Sequence, residues 1–512
     1  MVSRYSPRAV ILNSQDMSEL LTNESKTSPQ ATSLPPHTRS ILGVFGKNTM
    51  WLMVDRVALR MGTAVAGLVL VGYLGPTNFG IYSTAIAIGT LVNVALDLGL
   101  TRYSARTVAA NPGEGPRILA LTLFTTSLSA IIEFAGLLFF LSRGNIYAAC
   151  ITAGLILCNL DGTGLLCSAM LTADLRSRAV IPGSVLGALG LIVVIVLVIG
   201  LRLSVFALLV GASLRSLLVV VLRMWQLRDY WPSRRHWTWT EFCSLVRSAW
   251  PFFSYTFTQI GYEKVPVVCL GLVATQEQVG LFSAATVVAY VFPMWSYAST
   301  DALLPLLTRL YEQKRIHELL ELRQRLLDVY LFVSVPVVVL LSVFAPEICL
   351  LFGSRFVSSA PVLRIVAIRS LLSVLDAYLG QAFLTATNHV KERRNAQAMA
   401  LIALGGLTLA LGHFWGSKGG GIALIVADTL LILQYVLILS AVGLPLRWPA
   451  LGPTLIGGAA MALTGLELPA RINWFLKPIP ALLVYLAVLT LVARSKLAQA
   501  GRTLLDCLPG RC

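Results

Sequence analysis

The sequence predicts an all-α polytopic membrane protein with about 14 transmembrane helices, in two pseudo-symmetric six-helix lobes followed by two extra C-terminal helices. Three observations support this fold class. The 512 residues are 56% hydrophobic and only 12% charged, with a mean hydropathy of +0.77, whereas a soluble domain is about 25% charged. Apolar runs near the roughly 20 residues that span a bilayer recur along most of the chain. One short motif also recurs in the second half.

The predicted spans begin after a polar N-terminal stretch that lacks the apolar core of a signal peptide. In order, they are 49–74, 79–101, 117–141, 146–170, 180–201, 203–225, 247–273, 279–301, 327–352, 361–386, 395–415, 419–441, 450–468 and 475–494.

The basic residues alternate between loops. If successive spans cross the membrane in opposite directions, the loops on one side of the membrane, with their flanks, carry 19 Arg and Lys residues, and the loops on the other side carry 6. This is the positive-inside pattern, and it predicts a multi-pass protein of the cell inner membrane with both termini in the cytoplasm. The formal net charge of +16 therefore indicates membrane topology and anionic membrane lipids as partners, not nucleic acid.

The same pattern predicts four regions. Residues 1–48 form a flexible cytoplasmic tail, and residues 49–246 form an N-lobe of six spans with its cytoplasmic linker. Residues 247–441 form a C-lobe of six spans, and residues 442–512 hold the two extra spans and a cytoplasmic tail. Within the C-lobe, the basic amphipathic loop at 302–326 predicts an interfacial helix that lies on the membrane.

An internal repeat supports the two lobes. The segment Gly80–Ala85, GIYSTA, opens the second span, and Gly280–Ala285, GLFSAA, opens the eighth at an offset of 200 residues. The two copies are separated by an even number of spans, so both lobes have the same orientation. Such parallel repeats are related by an axis along the membrane normal.

Charged residues inside several spans predict a water-filled cavity between the lobes, because charge within a membrane helix is costly unless it faces a cavity or a partner. Arg56 and Arg60 share one face of the first span, and Lys264 lies in the seventh. These three residues would attract a diphosphate, since arginine donates two hydrogen bonds to phosphate at once. Asn93 belongs to a polar line on the second span and completes the predicted substrate-binding set.

A second set of intramembrane groups is expected to couple transport to a cation or to balance charge. Its members are Asp55, Asp97, Glu263, Arg369 and Asp376. The alternative is that the carboxylates form structural ion pairs with the basic residues, or that Asp55 and Arg56 snorkel to the membrane surface. Four further isolated ionisable groups lie deep in other spans, namely Glu133, Asp161, Arg215 and Asp428, and the three carboxylates among them should each have a partner.

No cofactor or metal site is predicted. The eight cysteines form no CxxC pair, and the five histidines show no ligand spacing. The outer loops are too short for a catalytic domain and pair no acidic groups, so the chain is not expected to be an enzyme.

Residues 48–106 resemble polysaccharide-repeat flippases of the Wzx type. The likeness rests on Asn48-Thr49 before a helix that starts at Trp51, on the stretch 73–82, YLGPTNFGIY, and on the stretch 97–100, DLGL. This family belongs to a superfamily that also holds multidrug antiporters and lipid II flippases.

The resemblance implies alternating access and a cargo of undecaprenyl-diphosphate-linked oligosaccharide, moved from the cytoplasmic to the periplasmic leaflet for polysaccharide biosynthesis. It also implies that Arg56, Arg60 and Lys264 hold the diphosphate, and that a polymerase and other polysaccharide-assembly proteins are partners. Two alternatives stay open at this point. One is a cation-coupled antiporter of drugs or other small molecules, and the other is a membrane polymerase or glycosyltransferase.

Overall fold

The computed structural model describes residues 36–174, 176–231, 239–444, 446, 452–467 and 478–492, with side chains from residue 67 onward except at a few positions. These residues are helical and contain no strand, which confirms the predicted all-α class. The chain divides into two compact units, residues 1–53 and residues 54–512, and all described side chains belong to the second.

The described residues form fifteen α-helices. In chain order they are α1 (Pro36–Asp97), α2 (Leu100–Ala110), α3 (Gly115–Ser142), α4 (Ile146–Ala173), α5 (Ser177–Gly200), α6 (Val205–Gln226), α7 (Trp239–Val273), α8 (Gln276–Val291), α9 (Met294–Glu312), α10 (Ile316–Val343), α11 (Ala345–Leu350), α12 (Ala360–Leu375), α13 (Val390–Ala441), α14 (Gly452–Glu467) and α15 (Pro478–Val492). A π-helix, Asp376–Leu384, continues α12.

Each predicted span overlaps a helix, which confirms the polytopic architecture. Two spans share α1 on either side of Gly75, where φ is 69°, and two share α13 on either side of Gly416, where φ is 54°. Glycine adopts such positive φ values without the steric cost that a Cβ imposes. Among the described residues, eight helices are long and apolar enough to cross a membrane.

Two boundaries differ from the prediction. The eighth span was predicted to continue to residue 301, but α8 ends at Val291 and α9 begins after Pro293, a residue that has no backbone N–H to donate. The predicted interfacial helix at 302–326 is not a single helix, because these residues form the end of α9 and the start of the long helix α10. Leu319 and Leu327 are buried against protein. An amphipathic pattern suits a helix on a protein surface as well as one on a membrane.

The helices pack mainly with neighbours of the same predicted lobe. In the first half, α4 packs against both α3 and α6, and in the second half α13 packs against both α7 and α12. The last two helices pack against each other, and α14 contacts α10. Val335, Met461 and Tyr485 form the core of that contact. The two C-terminal helices, α14 and α15, are therefore packed onto the second half through α10.

The two copies of the repeat contact each other through their first glycines. A Cβ built on Gly80 would lie 1.8 Å from the carbonyl oxygen of Gln276, and a Cβ on Gly280 would lie 1.8 Å from that of Pro76. Each would also lie 3.0 Å from the backbone nitrogen of the other glycine. Equal distances between positions at an offset of 200 residues are what a two-fold axis between the repeats produces. The glycines allow α1 and α8 to meet backbone to backbone.

Candidate functional site

Three of the predicted site residues lie on the first segment of α1. The side chains of Asp55, Arg56 and Arg60 fall outside the described part of the structure. Their roles stay predictions from the sequence.

Lys264 and Glu263 lie within α7, about 14 Å before its end at Val273 by the rise of a helix. Both residues lie within the span predicted at 247–273. Neighbouring residues of a helix project about 100° apart, and these two side chains accordingly have different surroundings. Lys264 is within electrostatic range of Cys158 on α4, in the first half. Glu263 is within electrostatic range of two second-half tyrosines.

Lys264 is partly buried, and it makes no ion pair with a described residue. Two other cations within the predicted spans are paired: Arg215 with Asp161 at 3.0 Å, and Arg369 with Asp428 at 3.0 Å. Lys264 therefore has no counter-ion among the described residues.

Arg369 forms the centre of a buried cluster in the second half. Its Nε donates to Asp428 at 3.0 Å, and both residues are buried. Its guanidinium also lies over the ring of Tyr290, 4.5 Å from the centroid. A charge removed from water is stabilised by such a partner. The cluster therefore neutralises Arg369 within the protein. This arrangement corresponds to the alternative prediction, in which the charged residues form structural ion pairs.

Asp376 begins the π-helix and lies near the same cluster. It accepts hydrogen bonds from the hydroxyls of Tyr435, at 3.1 Å, and Tyr297, at 3.4 Å. Single π-helical turns are frequent at functional sites. Unlike Asp428, Asp376 makes no ion pair within 4.0 Å among the residues described. Hydroxyl donors stabilise this carboxylate without a neutralising contact.

Asn93 and Asp97 line a different space, a cavity of about 20 Å³ between α1, α3 and α4. The carboxylate of Asp97 accepts a 2.6 Å hydrogen bond from the hydroxyl of Thr101 on α2. The cavity holds one water-sized occupant, which is far less than a sugar. The structure therefore groups Asn93 with Asp97, and the predicted substrate-binding residue Lys264 is not among the residues that line this cavity.

The expectation that isolated intramembrane charges have partners is confirmed. Asp161 contacts Arg215 and also accepts a 2.6 Å hydrogen bond from Ser216. Glu133 accepts a hydrogen bond from the amide of Asn159 at 3.0 Å. Because each of these contacts joins two different helices, the contacts tie neighbouring spans together.

Two features of the site were not predicted. One is the set of tyrosines around Arg369 and Asp376, which lie on separate helices and show no sequence pattern. The other is Arg102 of α2, whose guanidinium lies 4.7 Å from the ring centroid of Tyr255 on α7. Arg102 also donates to the side chain of Gln259 at 3.3 Å. A basic residue at a loop boundary is thereby part of a contact between the two halves.

A multi-helix membrane bundle with repeat-related halves and charged groups inside its helices defines the class of multi-pass membrane transporters. A family model described as "Polysaccharide biosynthesis protein" matches residues 45–311, more than half of the chain. The chain belongs to this family, as the sequence resemblance predicted.

Solved structures share the fold. A lipid II flippase, MurJ, in an inward closed conformation matches with a TM-score of 0.65 and 14% identity, over 88% of this chain and 99% of its own. A multidrug resistance MATE family transporter of the MOP superfamily, in an inward-facing conformation, matches with a TM-score of 0.54 and 14% identity. That match covers 75% of this chain and 95% of the MATE chain. These neighbours are transporters and flippases, not catalytic enzymes. No curated protein matches the chain at a significant level.

Proposed function

We propose that the chain flips an undecaprenyl-diphosphate-linked oligosaccharide from the cytoplasmic to the periplasmic leaflet by alternating access. Its membership of the polysaccharide biosynthesis family supports a polysaccharide cargo. Its fold is also that of a lipid II flippase, whose cargo is lipid-linked. Both features are compatible with a carrier that moves a sugar while its lipid stays in the bilayer.

The observation that carries this proposal is the ammonium group of Lys264. It lies in α7, within the span predicted at 247–273, and makes no ion pair with a described residue. A charge inside a membrane span without a partner is costly, and a diphosphate that enters the cavity would neutralise it. Arg56 and Arg60, which the sequence predicts on one face of α1, would add bidentate donors to the same anion.

The residues predicted to couple transport to a cation or to balance charge have two different roles under this proposal. We assign Arg369 to charge balance, because its contact with Asp428 already satisfies it. Asp97, Glu263 and Asp376 are the candidates for a coupling cation, since each lacks an ion pair within the described part of the chain. Asp55 keeps its predicted role in the same set. The symmetric contact of Gly80 with Gly280 supports alternating access, because it joins the two repeat-related halves through one pair of helices.

Replacing Lys264 with glutamine is expected to reduce flipping by about tenfold to a hundredfold. The reason is that a hydrogen bond to a charged group contributes about 1.5–3 kcal/mol. The measurement is the rate at which a fluorescent lipid-diphosphate oligosaccharide crosses the membrane of proteoliposomes. Lys264→Arg should keep most of the rate, because it keeps the charge.

The matched control is Lys418→Gln, which removes an exposed lysine elsewhere in the second half, and it should leave the rate unchanged. A wild-type rate in Lys264→Gln would refute the proposal. The same vesicles distinguish the antiporter alternative, since a cationic drug rather than a lipid diphosphate would then be the transported species.

We also propose that the protein resides in the inner membrane with both termini in the cytoplasm, where it contacts anionic lipids and the polysaccharide polymerase. The distribution of basic loops supports this orientation. A reporter enzyme that is active only in the periplasm is expected to be inactive when fused after residue 512, and active when fused after Arg143. The opposite pattern of activity would reverse the proposed topology.

A further inference from the structure

A larger polar cavity lies between α2, the turn that leads into α3, and residues 244–248 of α7, and we call it the α2–α7 pocket. Its volume is about 410 Å³, which is within the range of small-molecule sites. Eight of its ten lining residues are polar, and two of them are arginines, Arg106 and Arg117. None of the ten belongs to the predicted substrate-binding or coupling sets, so the pocket has no role in the function proposed above.

The α2–α7 pocket offers several hydrogen-bond donors. Arg106 is exposed and forms no ion pair with a described residue. The Nε atom of Arg117 is buried and has no hydrogen-bond partner among the described residues. The hydroxyl groups of Tyr103 and Thr107 on α2 also lack a partner in the described part of the chain. A buried donor without an acceptor is costly, and an anion with several oxygens would supply acceptors to these groups.

One carboxylate partly balances the two arginines. Glu114 lines the same pocket, and it accepts a long hydrogen bond of 3.4 Å from Nη1 of Arg117. Both side chains are about one-third exposed, at 37% for Glu114 and 33% for Arg117, and ion pairs exposed to water are weak. With two guanidinium groups and one carboxylate, the lining has an excess of one positive charge. The pocket therefore favours an anion.

The pocket lies at the level of the membrane surface. Its residues are at the ends of the second, third and seventh predicted spans, on the side whose loops carry the larger number of basic residues. Trp225 and Trp250, at span ends on the same side, are 64% and 56% exposed. Exposed tryptophan is enriched where membrane meets water. The pocket is therefore at the depth of the lipid head groups.

We propose that the α2–α7 pocket holds the phosphate of an anionic phospholipid from the leaflet beside the basic loops. That this leaflet is the cytoplasmic one rests on the topology proposed above. Basic pockets between membrane helices bind anionic head groups, and a guanidinium group donates two hydrogen bonds to phosphate at once. A zwitterionic head group would also bring an ammonium group towards the two arginines. A soluble phosphate compound shares the phosphate chemistry, but a lipid is already concentrated at this depth.

The bound head group would connect the two halves of the protein. Arg106 belongs to α2 in the first half, and Ser248 on the opposite wall belongs to α7 in the second. One helical turn before Arg106, Arg102 donates to the side chain of Gln259 on α7 at 3.3 Å. A lipid held by both helices favours the arrangement in which α2 and α7 touch. Lipid composition would then bias the conformational equilibrium of the transporter.

The test counts bound phospholipid, so its result does not depend on the identity of the cargo. The full-length protein in detergent is titrated with dioleoylphosphatidylglycerol or dioleoylphosphatidylcholine, and mass spectrometry of the intact protein counts the lipids bound. One phosphatidylglycerol per chain is expected to bind at least about fivefold more tightly than phosphatidylcholine, because a basic residue near the membrane surface contributes about that factor. Equal affinity for the two lipids would overturn the proposal.

Two variants of the pocket should change the affinity for phosphatidylglycerol in opposite directions. Arg106→Gln should lower it by about fivefold, whereas Glu114→Gln should raise it, because this variant removes the carboxylate that repels the phosphate. A rise in affinity cannot result from damage to the fold. The matched control is Arg247→Gln, which removes an exposed arginine from the same end of α7 but outside the pocket, and it should leave the affinity unchanged.

Two further outcomes would contradict the proposal. If Arg247→Gln weakens binding as much as Arg106→Gln does, the lipid is attracted by the basic surface as a whole and not by the pocket. Inorganic phosphate at the same concentration should leave the lipid bound, because it lacks the acyl chains that keep the head group at the membrane surface. Displacement of the lipid by inorganic phosphate would assign the pocket to a soluble phosphate compound and overturn its assignment to a lipid.

Discussion

Replacing Gly280 with alanine is expected to abolish transport while the protein stays folded in the membrane. The new Cβ would lie 1.8 Å from the carbonyl oxygen of Pro76, so α1 and α8 must separate where they now touch. Overpacking of this kind costs about 1–3 kcal/mol, which shifts a two-state equilibrium by roughly 5- to 150-fold. A transporter that cannot close at this end cannot complete its cycle.

Two measurements check this expectation. The transport rate should fall in Gly280→Ala, and the distance between spin labels at Asn78 and Glu277, both exposed, should lengthen. Gly80→Ala should behave in the same way, because the contact is symmetric. Gly406→Ala is the matched control, since a Cβ there meets nothing within 4 Å. Normal transport with an unchanged label distance would show that the contact is not a gate.

Removing one member of the Arg369–Asp428 pair should strongly lower the free energy of unfolding. Asp428→Asn leaves the guanidinium of Arg369 buried without its counter-ion, where Arg369 and Asp428 are now only 6% and 5% exposed. Loss of one partner from a buried pair costs about 3–5 kcal/mol. The double variant Arg369→Met with Asp428→Leu should recover most of the lost stability, because it removes both charges together.

The free energies of unfolding of the wild type, Arg369→Met, Asp428→Leu and the double variant, measured in the same detergent, form a double-mutant cycle, and Asp428→Asn is measured beside them. The control is Glu318→Gln, which breaks the pair of Glu318 with Arg315 at 2.5 Å, where both side chains are about half exposed. An exposed pair contributes about 0–1 kcal/mol. If Asp428→Asn destabilises the protein no more than Glu318→Gln does, the buried pair is not a structural element of the second half.

The sequence correctly predicted the structural features that depend on local hydrophobicity. Apolar runs of membrane length predicted the helices, and the Gly75-Pro76 turn in α1 is present with the positive φ that glycine permits. The division of the amphipathic segment at 302–326 between α9 and α10 was not predicted. Its apolar face is covered by protein, with Leu319 fully buried, and a pattern of apolar residues does not reveal whether lipid or protein covers them.

The candidate site was only partly predictable. The sequence identified Arg369, Asp428 and Asp97 as charges that need compensation, because the membrane interior does not tolerate isolated charge. It did not reveal that Arg369 pairs with Asp428, 59 residues away, or that Asp97 faces a cavity. A polar group can be satisfied by its own helix, by a neighbouring helix or by a ligand, and only the packing of the helices selects among these.

By itself, then, the sequence determined the class of the protein, its membrane helices and the repeat of GIYSTA in GLFSAA. Only the tertiary structure brought Gly80 against Gly280 and gathered polar side chains from three helices around Asp97. The difference follows from the range of the forces involved. Transfer of apolar side chains into lipid acts residue by residue along the chain, whereas contacts between helices depend on which faces meet after the chain has folded.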